Sequence, residues 1–256
     1  MESKKDRYKR TLLDLAKDEN LVPGIYNYCD RWCGRCTMTR KCLTYLHEQE
    51  MRKGDTSGKS QDLANEEFWE QIRLAWEVTM ELIEEDAERL GIELENVPNV
   101  ELPEHIESSV EITAKDYGKS MHKWLEENLE FMQQKTEQFV VINDEASIIK
   151  FKDALDVIRW YCFFIGAKVH RAHLDLKERQ NAPDDEFSVY SDNLGSAKIA
   201  IIAIDRSMNA LSLFYAELKE KEDDILKFLT KLSGIKKQML KTFPGVMEFK
   251  RPGFDK

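Results

Sequence analysis

The chain has 256 residues, 42% hydrophobic and 34% charged, with 11 Gly, 6 Pro and a formal charge of -10. That length holds one large domain, or a principal domain with a small appendage, and the scarcity of turn-forming residues favours long helices. The acidic balance excludes a protein that coats nucleic acid with its whole surface, because such a domain is basic.

The charge is unevenly spread. From Asp62 to Glu95 twelve acids face only Arg73 and Arg89, whereas Arg31, Arg35, Arg40 and Lys41 surround the cysteines with only Asp30 among them. The stretch from Lys231 to Lys256 is basic, with seven Lys or Arg against Glu248 and Asp255. A nucleic-acid contact is therefore expected only locally, at the cysteine segment or the tail. The N-terminus, MESKKDRYKR, has no apolar core and predicts no secretory signal. The apolar runs 160–167 and 199–204 are far shorter than the ~20 residues of a bilayer span. The expectation is a cytoplasmic protein that does not enter the membrane.

Residues 4–19 read as an amphipathic helix, ended by Asn20 and by the turn signal Pro23-Gly24. Cys29, Cys33, Cys36 and Cys42 follow within 14 residues. In a reducing compartment such spacing points to metal ligation rather than disulfides. Helix resumes over 43–52, and 54–60 reads as a polar linker. Gly54-Asp-Thr-Ser-Gly58-Lys59-Ser60 resembles a phosphate-binding loop. It has three residues between its glycines where the cradle needs four, and no buried strand precedes it.

The predicted organisation is an N-terminal helix with a four-cysteine metal knuckle over 1–53, a helical bundle over 65–241 and a basic, aromatic tail over 242–256. The first bundle helix, 65–91, has Asn65 as N-cap. Phe68, Ile72, Ala75, Thr79 and Ile83 share its inward face, with Glu70, Glu77 and Glu81 outside. Residues 92–110, with Pro98 and Pro103, read as a loop. The helix 113–138 carries Tyr117, Met121, Trp124, Leu125, Leu129 and Met132 at three- and four-residue steps. The helix 144–178 is apolar on nearly every side between Leu155 and Val169, as a central buried helix would be. After a loop over 179–193 come helices 194–221 and 222–240. The predicted fold is all-α: a four-helix bundle with an N-terminal four-cysteine metal knuckle and extra terminal helices.

The ligand pattern is Cys29-x3-Cys33-x2-Cys36-x5-Cys42. A structural zinc site joins two Cys-x2-Cys turns across a longer stretch, and only one such turn is present. Iron–sulfur clusters take their ligands in succession from one short winding segment. The spacing therefore favours a [4Fe-4S] cluster over zinc. Cys33-Gly-Arg-Cys36-Thr-Met-Thr-Arg-Lys-Cys42 resembles the last three ligands of the cluster loop in DNA glycosylases similar to endonuclease III, which implies the cluster type. The first spacing departs, x3 against x6, and Phe243-Pro-Gly-Val246 lacks the glycine of their phosphate-binding turn. Cys29-x3-Cys33-x2-Cys36 also resembles the ligand spacing of radical SAM enzymes, which place it in a barrel of alternating strands and helices that this sequence does not predict.

His170 and His173, three residues apart on one helix, form a candidate metal pair that lacks a carboxylate partner. A polar stripe, Lys198, Asp205, Asn209 and Ser212, runs along the helix after the loop, and Arg159 and Lys168 flank the apolar run 160–167. Buried charge is costly unless paired, so this stripe lies either at a solvated edge or in a polar pocket of the bundle. If it lines a pocket, Lys168, Asp205 and His170 are the candidate catalytic residues. Two functional expectations remain. One is a metal-binding adaptor whose knuckle and basic, aromatic tail (Phe243, Phe249 and Phe254) meet a protein partner. The other is an iron–sulfur redox or electron-transfer enzyme with a polar site in the bundle.

Overall fold

The computed structural model describes residues 3–52, 66–96, 105–181 and 192–255. The 54–60 linker, its phosphate-loop lookalike, the Asn65 cap, the side chain of Phe68 and most of the 179–193 loop lie outside them. The described chain is all-α, with eight α-helices, short 3-10 turns and no strand among these residues. It divides into two compact units, 1–26 with 33–104 and 27–32 with 105–256.

In the first unit, α1 (Lys4–Ala16) opens at Ser3, whose hydroxyl accepts the Asp6 amide at 3.0 Å. Three further elements complete the unit: the cysteine segment, α2 (Leu43–Arg52) and α3 (Glu66–Leu90). Tyr8 on α1 sits edge-on to His47 of α2 at 4.3 Å, and Arg7 donates to the Glu50 carbonyl at 3.0 Å. On α1's other flank, Lys5 and Lys9 both reach Glu81 of α3 at 2.6 Å, and Lys9 also reaches Glu85 at 2.5 Å. These ion pairs turn Glu81 toward α1. The face of α3 expected inside is consequently outside: Ile72 and Ile83 are exposed with Trp69, Trp76 and Met80, and Val78 on the opposite side is the residue fully buried. The helix counted at the sequence level as the first of the bundle thus belongs to the first unit.

The second unit is built from α4 (Ser109–Glu127), α5 (Leu129–Val141), α6 (Glu145–Asn181), α7 (Asp192–Glu217) and α8 (Glu222–Thr242). The single helix predicted over 113–138 is broken into α4 and α5. At Asn128 the backbone leaves helical geometry, and the side-chain amide donates to the Trp124 carbonyl at 2.8 Å. Contacts run α4 to α6, α6 to α7, α7 to α8 and α8 back to α4, while α5 lies along α6. Tyr117, Ile158, Ile165, Ile204, Phe214 and Leu232 are buried in the shared core. Each large apolar side chain so buried contributes about 1.5–3 kcal/mol relative to exposure.

Residues 193–217 of α7 are long and apolar enough to cross a membrane, more than the short run 199–204 suggested. Ala210 and the segment 211–214 extend that run further along the helix. Within the second unit, half of this stretch is buried, packed against α6 and α8. The tail is folded too. Phe243 and Val246 are buried, and Phe249 lies 5.3 Å from the ring of Tyr28.

Candidate functional site

The cysteines occupy two consecutive stretches. Residues 27–32, with Cys29, pack as part of the second unit. Tyr28 fills the space over Gly195, where an added Cβ would overlap its ring. Trp32 stacks on Trp160 at 5.0 Å. Between them Asp30 is held from several sides. The Tyr161 hydroxyl donates to its Oδ2 at 2.6 Å, and Arg206 donates to the same oxygen at 2.6 Å and to the Tyr161 oxygen at 2.5 Å. Trp160 donates its indole N–H to the Asp30 carbonyl at 2.9 Å. Burial, together with the adjacent Asp30 carboxylate and against the pull of Arg206, pushes the Tyr161 hydroxyl up to about 12. Cys29 is therefore carried on a segment fastened on both sides.

Cys33, Cys36 and Cys42 follow in the first unit. A 3-10 turn over Cys33–Arg35 lets the Cys36 amide donate to the Cys33 carbonyl at 3.2 Å. A second over Thr39–Lys41 does the same between Cys42 and Thr39 at 3.3 Å. The Met38 amide donates to Cys36 Sγ at 3.3 Å. All four cysteines are half-buried and none is in a disulfide. Cys162 is buried on α6, and burial pushes its thiol up, as expected of a residue used for packing.

The three candidate catalytic residues have separate partners. Lys168 donates to the Asn27 carbonyl at 3.3 Å and lies over the Phe164 ring. Asp205 pairs with Lys236 of α8 at 2.6 Å. His170 turns to Glu111 of α4. His173, the other half of the sequence pair, is buried, bonded to the Val169 carbonyl at 2.9 Å and edge-on to Phe243. Lys198, at the start of the polar stripe, holds the tail. It donates to the carbonyls of Met247 and Phe249 at 3.2 and 2.5 Å and pairs with Asp255 at 2.8 Å. Lys198 and Asp205 are thus spent on helix-to-tail and helix-to-helix fastenings, while Ser212 bonds the Met208 carbonyl of its own helix and Asn209 is exposed.

The structure brings together a constellation that sequence reasoning missed. His105 Nε2 lies 2.6 Å, and His170 Nδ1 2.9 Å, from the same oxygen, Glu111 Oε1. The imidazole rings are 4.8 Å apart and nearly perpendicular. Among the described residues this is the one set of three His, Cys, Asp or Glu donors lying within 4.8 Å of one another. Glu111 is fully buried. Its Oε2 accepts the Ser108 amide and hydroxyl at 2.8 and 2.7 Å, a capping box that opens α4. Burial alone would raise this carboxyl, but the bonds from Ser108, His105 and His170 outweigh it and hold the group down at about 2.

Helix register places these residues. Glycines let α4 and α6 approach closely: a Cβ at Gly118 would meet the Cys162 carbonyl oxygen at 2.7 Å, and one at Gly166 would lie 3.4 Å from the Ala114 carbonyl. The antiparallel pairings Gly118 with Cys162 and Ala114 with Gly166 continue one turn further to Glu111 with His170. Ser108-x-x-Glu111 was the available sequence signal, yet it announces a helix start and not a buried carboxylate. No family model, curated protein or solved structure matches this chain.

Proposed function

We propose that this chain is a cytoplasmic metal-binding protein in which Cys29, Cys33, Cys36 and Cys42 hold a [4Fe-4S] cluster, with zinc as the alternative occupant, and that it serves as a binding or adaptor protein. The observation that carries the metal reading is the set of four closely spaced cysteines, supported by the Met38 amide aimed at Cys36 Sγ. Arg31, Arg35, Arg40 and Lys41 nearby offset the charge that four thiolates bring. The helices α4, α6, α7 and α8 are read as a four-helix bundle that supports the Cys29 segment.

The adaptor role is supported by α3, whose exposed face carries Trp69, Ile72, Trp76, Met80 and Ile83 in one stripe beside the acids Glu77 and Glu84. Indoles exposed together are more characteristic of a binding surface than of an idle one. The complementary partner is a protein presenting an amphipathic helix with Lys or Arg along its flank. Anaerobic purification with metal and sulfide analysis and a visible spectrum tests the metal. A brown protein with about four irons and four sulfides is expected. That result also strengthens the redox-enzyme alternative, and one colourless zinc removes it. Protein free of both metals overturns the cysteine reading.

A further inference from the structure

We infer that His105, Glu111 and His170 form a second metal site, independent of the cysteines, for a divalent first-row transition ion such as Zn2+ or Fe2+. Two imidazole nitrogens and one carboxylate oxygen are the donor set such ions take when they keep a coordination position open. Both ring nitrogens aim at a single carboxylate oxygen, at 2.6 and 2.9 Å. Donors sharing an ion at about 2.1 Å stand about 3.0 Å apart in octahedral and about 3.4 Å apart in tetrahedral geometry, so the ring nitrogens need to draw back from Oε1 by about 0.1–0.8 Å.

Three further observations point the same way. The carboxylate is oriented before any ion arrives, because Ser108 holds Oε2 through two hydrogen bonds and leaves Oε1 for the histidines. Such outer contacts fix a ligand's geometry and strengthen its donor atom. Glu111 is fully buried with two imidazole nitrogens at one of its oxygens, a place where the charge of a divalent cation is matched by the carboxylate. The His170 side chain is 34% exposed, so the ion has a route in and room for water on that side.

Cobalt titration of the full-length protein tests the site, because cobalt on thiolates gives intense charge-transfer bands and cobalt on nitrogen and oxygen does not. Wild type is expected to take up one equivalent more Co2+ than His170→Ala or Glu111→Gln, with the thiolate bands equal in all three. His122→Ala, at an exposed histidine of α4, keeps the wild-type stoichiometry. Where Glu111→Gln unfolds the α4 start, His170→Ala and His105→Ala carry the result. Whatever their melting temperatures in chelator, these variants should fail to gain stability with added Zn2+ as wild type does. An extra equivalent without thiolate bands supports this site, because a resident iron–sulfur cluster at the cysteines would itself keep cobalt off the thiolates. Equal stoichiometry in wild type and the variants, with equal response to Zn2+, overturns the inference and leaves the trio as a hydrogen-bonded helix start.

Discussion

The two units of this protein differ in how much they bury. In the first, the residues buried among those described are Ile25, His47, Val78 and Ala87; in the second, a continuous apolar core runs from Val110 to Val246. A unit with so little core gains most from a covalent or metal staple, whereas a unit with a dense core holds itself together by packing. Cys33, Cys36 and Cys42 fall in the thinly cored unit. Glu111 and His170 of the trio sit on α4 and α6 of the well-packed unit, with His105 in the segment leading into α4. A metal at the cysteines would be structural first, and a metal at the histidines is free to do something else.

The sharpest way to break this contrast is to remove the cysteine ligands. On the proposed metal reading, Cys33→Ser with Cys36→Ser should abolish metal binding at the cysteines and strip hydrogen-exchange protection from α1 to α3, with protection of α6 and α7 intact. Equal loss across both units would show that the second also depends on the knuckle.

Acid titration in the presence of chelator probes the second unit. The Glu111 carboxyl is held at about 2 in the fold against its ordinary 4.5. Its contribution to stability is therefore complete above pH 4.5 and is lost as pH falls toward 2. Denaturant unfolding across that window should show a loss in wild type that is smaller in Glu111→Gln. Parallel profiles would refute the role of the carboxylate.

Close helix contact is tested by Gly118→Ala, whose new methyl meets the Cys162 carbonyl. A cost of about 2 kcal/mol in urea unfolding is expected, as for overpacked cores. Tyr161→Phe removes one donor from Asp30 while Arg206 remains, so about 1 kcal/mol is expected in the same measurement. The smallest effect belongs to Trp76→Ala. With its indole 68% exposed on α3, the change should stay within about 0.5 kcal/mol in stability while weakening any partner that docks there.

Sequence by itself determined the helices and the cysteine pattern. Three- and four-residue apolar steps reveal helices because they are local, and Cys29 to Cys42 reveal themselves because all four lie in one short segment. Which face of α3 turns inward was not legible, since that helix is apolar on two sides and the choice was made by Lys5 and Lys9 reaching Glu81. The break at Asn128 was hidden inside an unbroken helical pattern, because the capping bond to Trp124 competes with helix only in place. Lys168, Asp205 and His170 looked alike as polar residues on apolar helices, and only tertiary structure sent them to a loop carbonyl, a neighbouring helix and a buried carboxylate. The meeting of Glu111 and His170 was decided by the glycine-allowed register of α4 on α6, with His105 added from the segment before α4. Glu111 and His170, 59 residues apart in sequence, meet through packing, and no local pattern records that.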